Sequence, residues 1–250
     1  MRDGEKMVRE TVNLAMWSGP RNLSTAMMRS FAQRADAQVW DEPFYAAYLR
    51  ATGLDHPMRE EVIADGISDA GEVAAACLKA PEPPVSVFYQ KHMTHHMVDG
   101  FDLSWIDNVT NAFLIRAPER VLASYVKKHE DVRAEDIGLR MQRVLFERAA
   151  QRLGSAPPVI DSTAIRADPE TALAALCKNV GIGFDPAMLS WKAGPAPEDG
   201  IWGSHWYDAI WKSTGFAPPE TGTPELPGHL QRIADETRAD YEFLQQYSIV

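Results

Sequence analysis

The sequence predicts a three-layer α/β fold, in which a mainly parallel, five-stranded sheet lies between helices. Short strand-like segments alternate with helical segments along most of the 250 residues, and this alternation is typical of parallel sheets that are buried on both faces. Hydrophobic residues make up 45% of the chain and charged residues 24%. This composition and length predict one compact domain over residues 1–250.

Five short apolar segments have the length of strands and are bounded by turn-forming residues. The first ends at Ser18-Gly19-Pro20, and the third is preceded by the Pro-Glu-Pro-Pro run of residues 81–84, both of which are typical of turns. Parallel strands bring their carboxyl ends to one edge of the sheet, where ligands of such folds bind. The predicted strands are residues 12–17, 38–40, 85–90, 112–115 and 158–160.

Helices are predicted between the strands. After the first strand, Leu23, Ala26, Met27, Ser30 and Phe31 recur at the spacing of one helical face. After the fourth strand a proline at position 118 is well placed to open a helix. Further helices are predicted over residues 44–51, 137–148, 169–180 and 227–247.

Residues 191–227 have a different character, with six prolines, four of the seven tryptophans and little periodicity. A long irregular segment in a compact domain is usually functional, so we expect a lid over a ligand. A structural wrap that buries aromatic surface is the alternative. As a lid, the segment is expected to roof the cleft with Trp191, Trp202, His205, Trp206 and Trp211.

Charge and composition exclude several classes of protein. The formal net charge of −10 argues against a nucleic-acid surface, which needs a positive field. No apolar run approaches the roughly 18 residues of a membrane span, and residues 1–11 are too polar for a signal peptide. Cys77 and Cys177 are best interpreted as buried reduced thiols. We therefore expect a cytoplasmic protein without membrane or nucleic-acid partners; nothing indicates its oligomeric state.

The first strand-to-helix junction is a candidate anion site. It contains two hydroxyl groups, Ser24 and Thr25, and the guanidinium of Arg21, beside the free amides expected at a helix N-terminus. The nucleotide-binding pattern G-x-x-x-x-G-K-[ST] is absent, since Leu23 stands at its second glycine and Ser24 at its lysine. This departure argues against ordinary chemistry on ATP or GTP. A turn that binds nothing is the alternative.

The fourth junction supplies a second candidate anion site. Arg116 leaves the predicted strand end, and Ser124 lies about two turns into the next helix. An arginine and a hydroxyl that converge can hold an anionic group through charge-assisted hydrogen bonds. The alternative is an ordinary strand-end arginine with a serine on a helix surface.

Together the two segments resemble the sulfotransferase family, and its bacterial branch in particular. Residues 20–25, Pro-Arg-Asn-Leu-Ser-Thr, resemble its 5′-phosphosulfate loop, P-[KR]-S-G-[TS]-[TS], and residues 116–124 match its 3′-phosphate motif, R-x-P-x-x-x-x-x-S. A D-P-E helix start at residues 168–170 and the G-x-G-F-D-P turn at 181–186 are similar as well. The resemblance covers roughly residues 12–189. Arg21 stands where a lysine is more familiar, Leu23 replaces the glycine, and a basic-glycine motif near the C-terminus is lacking.

The resemblance implies a fold like that of the P-loop nucleoside-triphosphate hydrolases. It also implies transfer of a sulfuryl group from 3′-phosphoadenosine 5′-phosphosulfate to a hydroxyl or amine of a small-molecule acceptor, without a metal ion. The residues it assigns to the donor are Pro20, Arg21, Asn22, Leu23, Ser24, Thr25, Arg116 and Ser124. Arg21 is in addition expected to stabilise the charge that develops on the departing 5′-phosphate.

The acceptor also needs a base, for which two positions are candidates. Glu42 stands where some sulfotransferases carry a catalytic carboxylate; the alternative is a helix-capping acid before Pro43. Lys91 resembles the lysine of the cytosolic enzymes and is placed to touch the bridging oxygen, with His92 or His95 as proton acceptor. His92 and His95, with a third histidine at position 96, also have a spacing that permits a metal site, which we do not favour.

Two rival functions remain open at this point. A small-molecule kinase of P-loop type would bind ATP with Mg²⁺. A non-catalytic nucleotide-binding module would retain only part of the donor loop, and Leu23 together with the missing C-terminal basic motif is compatible with it.

Overall fold

The computed structural model of the chain describes residues 11–82, 85–127 and 131–250. The polar N-terminal residues 1–10, and two prolines (83 and 84) of the turn predicted before the third strand, lie outside the described residues.

A single five-stranded sheet forms the centre of the described structure. Its strands are ordered β2-β3-β1-β4-β5, and every neighbouring pair is parallel. The sheet and all five of its strands are therefore as predicted, with ends that differ by no more than three residues. The strands are β1 (Val12–Ser18), β2 (Ala37–Asp41), β3 (Val87–Met93), β4 (Thr110–Ile115) and β5 (Val159–Asp161).

Eleven α-helices surround the sheet in the described residues: α1 (Ser24–Phe31), α2 (Tyr45–Thr52), α3 (Arg59–Asp65), α4 (Ala70–Leu78), α5 (Pro118–Tyr125), α6 (Leu139–Leu153), α7 (Ser162–Ala167), α8 (Pro169–Asn179), α9 (Gly203–Trp206), α10 (Asp208–Trp211) and α11 (Gly228–Gln245). The sequence predicted α1, α2, α5, α6, α8 and α11 but not the others. In the part of the chain that the structure covers, no helix has both the length and the apolar character needed to cross a membrane.

The alternation of side chains along the strands builds two separate cores. Leu14 and Met16 of β1 face one side of the sheet, where α1, α7 and α8 pack. Ala15 and Trp17 face the other side, against α2, α4, α5, α6 and α11. The two cysteines lie in opposite cores, both buried and unbonded, and burial raises the pKa of both thiols. The molecule thus has the three layers that the sequence predicted.

Two close contacts fix the carboxyl ends of β1 and β4. The buried side-chain amide of Gln142, on α6, donates to the carbonyl oxygens of Trp17 at 3.2 Å and Leu114 at 2.8 Å. Gly19, just after β1, lies so close to the Ile137 carbonyl that a Cβ there would overlap its oxygen. The loops that leave β1 and β4 therefore start from a rigid edge.

Residues 191–227 are less irregular than predicted, since they contain α9 and α10. Trp202 and Tyr207 from this segment pack with α2 and α3. A buried ion pair joins Asp199 to Arg29 of α1 at 2.6 Å. This part of the segment is therefore attached to the body of the protein by packing and by a buried charge pair.

Candidate active site

A cleft of about 360 Å³ opens at the carboxyl ends of the strands, as expected for a parallel sheet. It is lined by loops that follow β1, β2, β3 and β4, and by α7, α9 and α10. Ten of the twelve residues singled out from the sequence line it: Pro20, Arg21, Leu23, Ser24, Thr25, Glu42, Lys91, His95, Arg116 and Ser124. Asn22 and His92 do not.

The loop after β1 aims the start of α1 at this cleft. Leu23 occupies the N-cap position without a side-chain capping bond, so that the first amides of α1 keep their donors for a ligand. Ser24 and Thr25 add hydroxyl groups beside them. The arrangement can hold an anionic group through backbone and side-chain donors together.

Leu23 keeps the backbone conformation that a glycine would adopt. Its φ is 67°, and that of Arg21 is 62°, in a left-handed region that is costly for residues with a Cβ. Leu23 therefore occupies a conformation that a glycine adopts without this cost.

Asn22, which the resemblance assigned to the donor loop, does not line the cleft. It is buried, and its amide donates to the Leu114 carbonyl at 3.4 Å. The side chain is directed at the end of β4 because the backbone of the loop turns at both of its neighbours. This bond holds the loop against the sheet, while the Oδ1 of Asn22 is buried without a partner among the described residues.

The two motifs predicted to bind anions meet in the structure. Arg21 Nε donates to Ser124 Oγ at 2.9 Å, and Arg116 Nη1 donates to the Arg21 carbonyl at 2.6 Å. Burial lowers the pKa of both guanidinium groups, which remain charged at neutral pH. The Nε of Arg116 is buried without a partner among the described residues. The site therefore favours an anion that supplies both charge and acceptors.

Arg116 belongs to a larger group of arginines that the sequence did not indicate. Arg166, on α7, and Arg120, on α5, converge with it on one carboxylate, that of Glu220. Arg166 lines the cleft directly. The position of Arg166 five residues after the last residue of β5 was the available signal, because strand ends of a parallel sheet share one edge.

A buried network of acids surrounds Lys91 at the other end of the cleft. Its Nζ donates to Asp41 Oδ1 at 2.8 Å, to Glu42 Oε1 at 2.5 Å and to the Tyr207 hydroxyl at 2.9 Å. The Tyr207 hydroxyl in turn donates to Asp41 Oδ2 at 2.6 Å. Burial disfavours the ammonium, but Asp41 and Glu42 outweigh it and hold the pKa of Lys91 well above its usual value. Asp41 and Tyr207 were not predicted as parts of this site.

Glu42 is held in an unusual conformation, with a φ of 42°. It does not cap the following helix, because Phe44 is the N-cap residue of α2 and no side chain caps it. Its carboxylate contacts Lys91 instead and lies 3.8 Å from His96 Nε2. Burial raises the pKa of Glu42 above its usual value, although the positive charge of Lys91 opposes the shift. A raised pKa makes it a stronger base than an ordinary glutamate.

The two candidate histidines, His92 and His95, lie in different places, the first in the core and the second in the cleft. His92 stacks on Trp17 with ring centroids 4.6 Å apart, on the opposite face of β3 from Lys91, because successive strand residues alternate. It does not reach the cleft, so the structure does not support it as a base. His95 does line the cleft, but burial lowers its pKa to about 3. No group of three potential metal ligands is present among the described residues.

Aromatic and imidazole groups form the wall nearest Glu42. The Tyr45 hydroxyl and His56 Nδ1 are 2.5 Å apart, and Trp206 and Ile210 complete this wall. Of the residues expected to roof the cleft, Trp206 alone is among its lining residues in the described structure. The others pack elsewhere; the indole of Trp211, for example, donates to Asp199 at 2.8 Å.

Comparison with known proteins identifies a family. The family model described as a sulfotransferase domain matches residues 12–234. Two proteins of Arabidopsis thaliana, the branched-chain-amino-acid aminotransferase-like proteins 1 and 2, are 39% and 37% identical over 92% and 84% of this chain. The matches cover 41% and 37% of those proteins, so that the chain spans about two-fifths of the length of these curated relatives.

Solved structures share the fold. A sulfotransferase from Alicyclobacillus acidocaldarius has a TM-score of 0.53 at 12% identity, over 95% of each chain. The sulfotransferase domain of the Synechococcus PCC 7002 olefin synthase has a TM-score of 0.50 at 14% identity, over 92% of this chain and 95% of that one. These neighbours have the P-loop-like arrangement of a parallel sheet between helices that this chain adopts.

Proposed function

This chain belongs to the sulfotransferase family, and from that membership we propose that it moves a sulfuryl group from 3′-phosphoadenosine 5′-phosphosulfate to a hydroxyl or amine of a small-molecule acceptor. The observation that carries the proposal is the meeting of both anion-binding motifs in one cleft that also contains Glu42 and Lys91. The anionic donor needs the anion-binding motifs, and the acceptor, which must lose a proton, needs a base such as Glu42.

The donor end fits a bisphosphorylated nucleotide. In the proposal, the start of α1 with Ser24 and Thr25 binds the phosphosulfate, while Arg116 and Ser124 bind the 3′-phosphate. The unpartnered Nε of Arg116 and the partly buried charge of Arg21 support an anion at each point. When bound, the donor supplies a sulfuryl group whose sulfur forms a bond to the acceptor and loses its bond to the 5′-phosphate, which leaves adenosine 3′,5′-bisphosphate.

Glu42 is the proposed base that takes the proton of the acceptor. Its carboxylate lines the cleft, and burial raises its pKa, while the pKa of His95 is lowered to about 3. A base works best when its pKa lies close to the working pH, which favours Glu42 over His95. With Glu42 as the base, Glu42 holds the proton, and the acceptor oxygen or nitrogen keeps the electron pair that attacks sulfur.

Lys91 has two proposed tasks beside Glu42. Its ammonium holds the Glu42 carboxylate in place, since Nζ and Oε1 are 2.5 Å apart. It also provides positive charge near the oxygen that leaves sulfur, which is the type of interaction that stabilises developing negative charge. The Asp41 carboxylate also contacts the ammonium, at 2.8 Å, and provides a second negative charge. Lys91 therefore stays charged when Glu42 accepts the proton of the acceptor.

A comparison of ligands tests the proposal. We expect calorimetry to show binding of adenosine 3′,5′-bisphosphate and not of ATP with Mg²⁺, and a panel of phenols, alcohols, sugars and amines to yield a sulfated product with the labelled donor. Arg116→Ala should weaken bisphosphate binding by about 1.5–3 kcal/mol, the worth of hydrogen bonds to charged groups, and leave binding of adenosine 5′-monophosphate unchanged.

Three results would contradict it. Tight binding of ATP with Mg²⁺ and phosphate transfer would establish the kinase alternative. Bisphosphate binding without turnover on any acceptor would leave a nucleotide-binding module. Equal losses for both nucleotides in Arg116→Ala would remove Arg116 from the 3′-phosphate.

A further inference from the structure

We propose that Glu220 occupies the place of a phosphate monoester among Arg116, Arg120 and Arg166, and that a nucleotide with a 3′-phosphate binds by displacing this carboxylate. The inference rests on the proposed function for the identity of the nucleotide. It adds Arg120 and Arg166 to the donor-binding residues and makes Glu220 a determinant of affinity for the donor.

The contacts of Glu220 resemble those of a bound anion. Its Oε1 accepts from Arg116 Nη2 and lies 2.9 Å from Arg166 Nη1, and its Oε2 lies 3.4 Å from Arg120 Nη1. The three guanidinium groups come from separate elements, namely the end of β4, α5 and α7. Cations from three elements that meet on one carboxylate form an anion site rather than a chance surface pair.

The segment that carries Glu220 is held by main-chain hydrogen bonds on either side of this residue and by its side chain. Residues 217–223 form no helix or strand, and Glu220 is the one residue among them that is not exposed. Farther back, by contrast, Asp199 and Tyr207 are held by buried ion pairs and hydrogen bonds. The contact of Glu220 with the arginines is therefore the main polar attachment of this segment's side chains.

The charges of the group favour a dianion over a carboxylate. Three guanidinium groups face one carboxylate, which leaves two positive charges without a counter-charge in the cluster. A phosphate monoester carries close to two negative charges at neutral pH and offers three acceptor oxygens. The Nε of Arg116, which has no partner within the described residues, supplies a further donor for such a group.

Displacement of the Glu220 carboxylate can leave the main chain of the segment in place. Arg166 Nε donates to the Pro218 carbonyl at 2.8 Å, and Arg120 Nη2 donates to the Gly222 carbonyl at 2.5 Å. These bonds use donors on the same arginines and involve only the main chain on either side of Glu220. They can therefore keep the segment over the bound nucleotide after the carboxylate has turned toward solvent.

The experiment compares Glu220→Gln with Glu225→Gln by calorimetry, with adenosine 3′,5′-bisphosphate and adenosine 5′-monophosphate as ligands. Glutamine keeps the shape of residue 220 but gives up the charge that competes for the arginines. Because the competing contact is charge-assisted, its loss should tighten bisphosphate binding by about tenfold or more. The monophosphate affinity should not change. Glu225 is exposed on the same segment, so Glu225→Gln makes the same charge change away from the arginines and should bind both ligands as the parent does.

Two further variants keep the test sharp. Glu220→Asp preserves the net charge but withdraws the carboxylate by one methylene, so that bisphosphate binding should tighten by a smaller factor. Arg166→Gln should weaken bisphosphate binding by about tenfold or more without affecting the monophosphate.

The inference is overturned if Glu220→Gln binds the bisphosphate no more tightly than the parent, if the monophosphate gains equally, or if neither protein binds the bisphosphate. Its failure can be told apart from failure of the proposed function. Tighter bisphosphate binding in Glu220→Gln without any sulfated product would preserve the anion site and reject the reaction, whereas turnover with an unchanged affinity would do the reverse.

Discussion

Glu42 is the residue at which nucleotide binding and proton transfer can be separated by experiment. Its carboxylate lies beside Lys91 and not among the donor-binding arginines. Glu42→Gln keeps the side-chain shape but removes the basicity, so adenosine 3′,5′-bisphosphate should bind about normally while kcat falls by roughly 10²–10⁴. Calorimetry and steady-state assays of the same preparation measure both quantities.

Two further variants, Arg21→Ala and His95→Ala, help to assign the cause of that result. Arg21→Ala should impair both binding and kcat, because its charge meets the donor before and during transfer. If Glu42→Gln turns over normally and His95→Ala does not, His95 is the base and Glu42 serves only to hold Lys91.

Some single residues of the site were predictable from the sequence, whereas the conformation or the partners of others were not. The place of Arg116 and Ser124 in the cleft was predictable because their spacing is a motif, and that of Lys91 because it resembles the lysine of the cytosolic enzymes. Leu23 was noted only as a missing glycine, and its left-handed φ of 67° depends on contacts that no local pattern encodes. Tyr207 reaches Asp41 across 166 residues of sequence, and such a partner cannot be inferred from spacing.

At the scale of elements, long periodic segments were predictable and short ones were not. Helix α6, with fifteen residues, and α11, with eighteen, repeat their apolar face several times. Helices α9 and α10 have four residues each, about one turn, so neither has a period to detect. Helix α4 did offer a signal, since Asp69 caps it through the Glu72 amide.

The junction between β1 and α1 depends on a glycine without a side chain. A Cβ at Gly19 would overlap the backbone oxygen of Ile137, which cannot move as a flexible side chain would. Gly19→Ala should therefore lower the free energy of unfolding by about 1–3 kcal/mol and weaken bisphosphate binding, because the loop that presents Ser24 is displaced. Chemical denaturation and calorimetry measure the two effects.

Gly183→Ala is the matched control, because a Cβ there meets nothing within 4 Å and the variant should behave as the parent does. A Gly19→Ala protein with unchanged stability and affinity would show that the contact between the loop and Ile137 is not rigid.

At the scale of the whole molecule, fold class followed from the alternation of strands and helices, and so did the edge of the sheet that carries the cleft. The net charge of −10 argued against a broadly positive surface, and Arg21, Arg116, Arg166 and Lys91 are local cations that line the cleft. The convergence of Arg116 with Glu220, 104 residues apart, was out of reach, because it depends on how an irregular segment crosses the finished fold.

The buried histidines predict how the stability of the whole molecule depends on pH. Burial lowers the pKa of His92 to about 3, against roughly 6.5 in an unfolded chain. Between these values the unfolded state binds the proton and the native state does not, so stability falls as pH decreases below 6.5, by about 1.4 kcal/mol per pH unit for this histidine. Glu42, whose pKa is raised, acts in the opposite direction and loses its contribution as pH rises.

Denaturation at pH 7.5, 6.5 and 5.5 checks the sign and its origin. His92→Phe keeps an aromatic ring against Trp17 but cannot be protonated, so its stability should fall less steeply with acidification than that of the parent. Identical slopes in the two proteins would mean that His92 is protonated in the native state.

The position of Glu220 among three arginines also has a consequence for the rate of turnover. A carboxylate tethered next to the binding site is present at high effective concentration and can take over the arginines one contact at a time as the spent nucleotide leaves. The same side chain that weakens capture of the donor would then shorten the residence time of the product. In that case Glu220 lowers the affinity for the nucleotide and raises the rate of product release. An enzyme without it would bind its nucleotide more tightly yet complete fewer cycles per second.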